Sequence, residues 1–224
     1  MTRPAVPSGR TAVDRATRRP GGRTARTRTA VLDATVAELV ERGYGGLTID
    51  GVAARAGTTR PTIYRRWGGL DGLLVDAVET FAAGQADVPD TGDIDEDLRL
   101  WARSILRTLT GPVSGALIRA LFGGAGDSPL VAELRHRFWI TRVTLVRPVV
   151  DRAVRRGQLP EGTDVDEVVR HVGAPLYYRL LVLGQPLTPE AADLAARVTA
   201  AAAHAGVFVL PAPGARDPAG VRNA

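Results

Sequence analysis

The chain of 224 residues contains no cysteine and no lysine. Without cysteine it can hold no disulfide and no thiolate metal site. Without lysine, all 29 of its strongly basic side chains are arginines. Together with abundant alanine and glycine, that usage reflects a high-GC coding bias and says little about function. No run of about 18 apolar residues occurs, so no membrane span is expected. The N-terminus has charges but no apolar segment of the secretory kind, and the chain reads as soluble and cytoplasmic. Catalytic signatures are missing too: there is no GxSxG, no P-loop, no GxGxxG after a strand and no HExxH. His136 and His171 have no partners at ligand spacing, so no metal or cofactor is expected. The acidic cluster Asp93, Asp95, Glu96 and Asp97 falls at a helix start, where carboxylates favour the helix dipole. An enzyme would have to rest on those carboxylates alone, and none is expected.

What charge there is lies unevenly. Residues 1–30 carry eight arginines against one aspartate, so with +5 overall the rest of the chain nets −2. Residues 1–28 mix Arg, Pro, Gly, Ser and Thr with few apolar side chains, which predicts a disordered arm. Such an arm is either a solubilising extension or a source of non-specific phosphate contacts. Residues 29–68 read as a small helical domain, 69–206 as a larger one and 207–224 as a flexible tail.

The whole pattern is helical, with no strand alternation, and predicts about nine helices. Leu32, Val36, Leu39, Val40 and Tyr44 share one face of the first. Thr48 reads as the N-cap of a short second helix with Ile49, Val52, Ala53 and Ala56 inward, ended by Gly57. Thr59 caps a third, with Pro61 in its first turn and Ile63 and Trp67 facing the core. Longer helices follow from Leu70, Ile94, Asp127, Val165 and Pro189, with a short sixth over 113–123, Pro148 expected to kink the seventh and Pro175 to interrupt the eighth. The arginines of the seventh helix, among them Arg135, Arg137, Arg142 and Arg152, read as a solvated face.

The segment GTTRPTIYRRW, Gly57 to Trp67, is basic, polar and free of carboxylates. With the helix before it, it matches a helix-turn-helix: a glycine at the sharp turn, then a helix with its polar side chains outward. In that geometry the N-terminal residues of the second helix meet base edges while others grip phosphate.

The stretch TIDGVAARAGTTRPTIYRRWGGLDGLL resembles the DNA-binding motif of the tetracycline-repressor (TetR) family of transcriptional regulators. The matching features are the Thr48 cap, VAARAG (Val52 to Gly57), TxYRRW (Thr62 to Trp67) and the leucine-rich start of the fourth helix. Ala174 to Thr188, APLYYRLLVLGQPLT, resembles a C-terminal domain of actinobacterial members. The resemblance implies base contacts from Arg60, Pro61 and Thr62, and phosphate contacts from Thr48, Thr59, Tyr64, Arg65 and Arg66. Two positions depart from the family pattern. Leu70 stands where a phosphate-reaching lysine is usual, and Thr58 where a small aliphatic residue is usual.

The resemblance further implies an all-α regulator, a repressor released from a palindromic operator by a small apolar or aromatic inducer. In such a regulator two recognition helices of a homodimer lie one DNA turn, about 34–36 Å, apart. The eighth helix, broadly apolar, and the ninth, rich in small alanines that allow close approach, are the expected dimer surface. Trp101, Phe122, Phe138, Trp139, Tyr177 and Tyr178 are candidates for a pocket lining, though each also serves as ordinary core. The competing reading is a DNA-binding protein of little sequence preference, driven by the arginine-rich arm.

Overall fold

The structure is a computed structural model that describes residues 21–82, 88–124 and 128–209. Among these residues it is all-helical, with nine α-helices, as expected. The first four are α1 (Gly21–Arg42), α2 (Ile49–Arg55), α3 (Arg60–Trp67) and α4 (Leu70–Ala82). The larger half holds α5 (Ile94–Thr110), α6 (Pro112–Arg119), α7 (Pro129–Arg155), α8 (Val165–Leu181) and α9 (Pro189–His204). A 3₁₀ turn at Tyr44–Gly46 follows α1, and a π-helical turn at Ala120–Gly124 follows α6.

Local signals set most boundaries. The Thr48 side chain accepts from the Gly51 amide and starts α2. Asp93 accepts from the Asp95 amide, Asp164 from Asp166 and Thr188 from Ala191, each satisfying an orphan donor of a first turn. The acidic cluster is therefore structural: Asp93 caps α5, and buried Asp97 accepts from the Thr91 amide at 2.7 Å. Gly57 turns between α2 and α3 at φ +61°, a left-handed conformation costly for other residues.

Several expectations need correction. The arm expected to be disordered over 1–28 already belongs to α1 from Gly21; residues 1–20 lie outside the described residues. Arg28 explains the early start, since its guanidinium donates to Asp76 and to Thr80 on α4. The buried face of α1 runs through Val31, Ala34, Thr35, Glu38 and Leu39, which leaves Val40 44 % exposed at its edge. Pro175 does not interrupt α8, because its ring lies on the exposed face and only one backbone bond is forfeited. The expected tail at 207–224 is tied down over its first three residues. Phe208 is buried against His171, its carbonyl accepts from the Asp164 amide, and Val209 bridges to Thr163. Residues 210–224 lie outside the described residues.

The halves share one continuous core. The first helix packs on α2, α4 and α6, and α4 also meets α7, so the small domain is clamped to the large one. Helix α5 runs through the large half against α6, α7, α8 and α9. The alanine stripe of α9, Ala192, Ala195, Ala196, Ala200 and Ala203, is buried within the subunit, largely on α5. A two-pronged bridge from Arg103 to Asp193, 2.7 Å at each prong, fixes their register. The close approach expected of those alanines at a dimer surface is thus made inside one chain. Helix α9 turns Leu194 and Val198, four residues apart, to solvent, and α8 and its C-cap do so with Tyr178 and Val182.

Candidate nucleic-acid interface and aromatic cluster

Helix α3 is held from below. Ile63 is fully buried, and the Trp67 indole donates to Asp76 of α4 at 2.8 Å. That carboxylate also accepts from Arg28, so one aspartate staples α1, α3 and α4 together. Burial pushes its carboxyl up, but the bonds from Arg28 and Trp67 outweigh this and hold its pKa below the ordinary value. A depressed pKa means stability that is present above the unfolded value of about 4 and lost as pH falls through the folded one. Urea melts at pH 6 and pH 3 should therefore show an acid-dependent loss of stability that shrinks in Asp76→Asn.

The other side of α3 is open. Arg60, Pro61, Tyr64, Arg65 and Arg66 are exposed, as is Thr48 at the start of α2, while Thr62 is half-buried. All eight residues assigned to DNA contact thus lie on α3, on its N-cap or on the α2 cap, and all but Thr62 are exposed. Four are engaged in ways the sequence did not announce. The Arg60 guanidinium reaches Asp50 on α2 at 3.0 Å. Arg66 stacks over Trp67 at 5.1 Å and donates to the Thr24 carbonyl of α1. Thr59 occupies the N-cap position but makes no capping bond, because its hydroxyl pairs with that of Thr62 at 3.0 Å. Arg65, Arg66 and Thr62 join Thr24 and Thr27 of α1 around a cleft of about 500 Å³. The basic start of α1 is therefore held beside the outward face of α3.

Behind this surface lies an ion cluster around a buried carboxylate; the i,i+4 spacing of Glu38 and Arg42 signals one of its pairs, and the contact with Arg55 depends on the fold. Glu38 on α1 is almost wholly buried; Arg55 of α2 reaches it at 3.0 Å and Arg42 at 3.1 Å, while Arg55 also grips Glu41.

In the larger half, four of the six candidate pocket residues come together. Phe122 of the π-turn, Phe138 and Trp139 of α7 and Tyr177 of α8 have ring centroids 5.3–5.9 Å apart, mostly edge-on. Burial pushes the Tyr177 phenol up to about 12. Trp101 is buried on α5, outside these ring contacts, and Tyr178 is 55 % exposed, turned away by one helical step from Tyr177. Trp139, Tyr177 and Tyr178 also border an open groove of about 880 Å³ between α7 and α8. Arg142 on α7 is not the solvated side chain expected: it is half-buried, its guanidinium carbon 4.5 Å from the Phe138 ring centre. Arg135 is likewise engaged, donating to the Leu121 carbonyl.

A clamp joins the two halves. Gly124, two residues beyond Phe122, lies against Tyr44; a Cβ there would stand 2.6 Å from the Tyr44 Cβ. The Tyr44 hydroxyl donates to Asp71 at the start of α4, and burial, joined by this bond, pushes its phenol up to about 12.

Residues 31–77 match the family model described as "Bacterial regulatory proteins, tetR family", and residues 88–199 match "Tetracyclin repressor-like, C-terminal domain". The chain belongs to the TetR family of transcriptional regulators. Curated relatives agree. The regulator is 35 % identical over 162 residues to the HTH-type transcriptional regulator AqdR of Rhodococcus erythropolis, covering 72 % of this chain and 78 % of that one. It is 32 % identical over 167 residues to the DNA-binding transcriptional repressor TetR of Mycobacteroides abscessus, covering 72 % and 85 %. Among solved structures, the TetR family transcription regulator SCO0332 superposes with a TM-score of 0.61 at 25 % identity, over 79 % of this chain and 97 % of that one. SmeT, the repressor of the Stenotrophomonas maltophilia multidrug efflux pump SmeDEF, shares the fold at a TM-score of 0.60 and 22 % identity, over 84 % and 96 %. This TetR-family regulator is a DNA-binding, non-enzymatic protein, and regulators of the family bind DNA as dimers. No helix among the described residues is long and apolar enough to cross a membrane.

Proposed function

We propose that the regulator is a repressor that recognises a palindromic operator as a homodimer and leaves it when a small apolar or aromatic compound binds the larger half. The observation that carries the DNA reading is the division of α3: Ile63 anchors it, and Arg60, Pro61, Tyr64, Arg65 and Arg66 all face outward. Arg60, Pro61 and Thr62, at the N-terminal end, are assigned to base edges; Thr48, Thr59, Tyr64, Arg65 and Arg66 to phosphates. Selection of bound sequences from a random DNA pool at near-physiological salt tests this. A recovered palindrome with two half-sites supports the reading, and a pool without enrichment counts against sequence-specific binding.

Dimerisation is assigned to α8 and α9. Tyr178, Val182, Leu194 and Val198 leave their large apolar side chains in solvent, which a matching copy about a two-fold axis would cover. The double substitution Leu194→Glu, Val198→Glu should leave a folded monomer by sedimentation, with operator affinity reduced to that of a single half-site. A dimer that survives it would move the interface elsewhere.

Ligand release is supported by the aromatic cluster and by the clamp from Phe122 through Gly124 to Tyr44 and α4. A compound acts only to the extent that it prefers one of two conformers.

A further inference from the structure

The groove of about 880 Å³ between α7 and α8 is walled by two ridges of side chains spaced four residues apart. His136, Ile140 and Thr144 form the ridge on α7, and Ala174, Tyr178 and Val182 the one on α8 and its C-cap. Ile140, Tyr178 and Val182 are 50, 55 and 66 % exposed. Large apolar side chains gathered in this way mark a surface that something covers. The charges at one end are already answered within the chain: Arg147 meets Asp166 at 3.4 Å, and Arg170 meets Glu167. The groove therefore calls for an apolar occupant. A small-molecule site encloses most of its ligand, whereas these three side chains keep half or more of their surface in solvent.

A second copy of the chain carries a matching ridge. Leu194 and Val198 stand on the outer face of α9, exposed and one helical turn, about 6 Å, apart. A ridge of that period packs into the furrow between two ridges of the same period. Topology says which furrow. Helix α8 has α5 beneath it, its own α9 on one flank and α7 on the other. When α8 and α9 of two copies form four helices about a two-fold axis, each α8 lies between its own α9 and the partner's. The flank left for the partner is the one that faces α7, and Ala174 in the middle of the α8 ridge is small enough to let a helix come close.

We propose that the α7–α8 groove is the seat of the partner subunit's α9, with the partner's Leu194 and the partner's Val198 inserted between the Ile140 and Tyr178 ridges. This rests on the reading that the regulator dimerises through α8 and α9, and it adds α7 to the contact. Trp139 and Tyr177, whose rings meet at 5.3 Å, also border the groove. A compound that shifts those rings therefore shifts the seat of the partner's helix as well.

The chain has no cysteine, so an introduced thiol can be followed alone. In the full-length protein Ile140→Cys should react with N-ethylmaleimide about tenfold or more slowly than the same thiol in the Leu194→Glu, Val198→Glu background, because the core of an interface excludes solvent. Oxidation of Ile140→Cys combined with Leu194→Cys, or with Val198→Cys, should give a covalent dimer on a denaturing gel, and each single variant should not. Equal labelling rates in the two backgrounds, or no covalent dimer from either pair while the protein sediments as a dimer, would overturn the seat and leave dimerisation standing. A covalent dimer from Val198→Cys alone would set α9 against α9 and overturn it too. A wild type that sediments as a monomer removes the dimer reading and the seat together. Ile140, Leu194 and Val198 are all 45 % or more exposed, so the fold does not depend on the side chains replaced.

Discussion

Replacing Arg60 by alanine should weaken operator binding by about 1–3 kcal/mol per half-site, while affinity for unrelated DNA of the same length changes little. The asymmetry follows from where the side chain sits. Arg60 occupies the first position of α3, exposed, with its guanidinium held by Asp50 rather than packed on apolar surface. An exposed ion pair of this kind contributes little to stability, so the fold should not register the loss. What disappears is a donor fork suited to guanine, and the base preference beneath it should relax in a selected pool. Arg65→Ala should behave oppositely. Its exposed charge near the end of α3 is assigned to phosphate, so specific and non-specific DNA should weaken together, and the salt slope should drop by about one per subunit. Titrations of both variants against operator and scrambled duplex, at several salt concentrations, separate the two roles. An Arg60→Ala protein with unchanged operator affinity would remove Arg60 from the base contacts and leave its bond to Asp50 as a surface pair.

The rival explanation, that an arginine-rich arm drives binding, needs a truncation chosen from the structure. Deleting residues 1–28 would also remove Arg28, which bonds Asp76 and Thr80, and Thr24, which accepts from Arg66. Loss of DNA affinity would then report a damaged domain. A deletion ending at residue 20 keeps those bonds and asks only about the arm.

Arg55→Met should lower stability, read from urea melts, because it removes one of the two cations that balance the buried Glu38 carboxylate. Glu38 is almost fully enclosed, and of its two cationic partners Arg55 is the less exposed. Arg42 remains in the variant and still reaches Glu38, which limits the expected loss. Glu38→Leu together with Arg55→Met should recover most of the stability, since an apolar replacement of a buried pair is often neutral. An unchanged melt in the single variant would mean that Arg42 alone balances Glu38. Since α2 is fastened to α1 through this cluster, operator binding by Arg55→Met should fall with its stability.

Much of the recognition domain was legible because its signals are local. Thr48 caps because a β-region hydroxyl before Ile49 and Asp50 can reach the Gly51 amide; Gly57 turns because only glycine tolerates that φ cheaply. Ile63 was legible from its spacing. What escaped depends on partners far along the chain. Residues 21–28 look disordered by composition, and what favours their helix is Asp76 and Thr80 binding Arg28 and Thr24 receiving Arg66. The alanine stripe of α9 announces close packing but not the partner, which proved to be α5 in the same chain. Arg142 was missed by counting it among the solvated arginines, although its place four residues after Phe138 put the two on one face of α7. The same period separates Tyr177 from Tyr178, and had it been applied to them one would have been placed inside and the other out.

The seat of Gly124 against Tyr44 carries a genetic consequence. A screen for variants that lose operator control should return substitutions across α3, as any such screen would. It should also return position 124, where every side chain larger than hydrogen has to displace Tyr44 and, through its bond to Asp71, the start of α4. Purified protein from those isolates would keep every DNA-facing side chain and every ring of the aromatic cluster intact. Second-site revertants should then appear at Tyr44, where a smaller residue reopens the space, rather than on α3, and the pair would map the joint between the two halves without any knowledge of the effector.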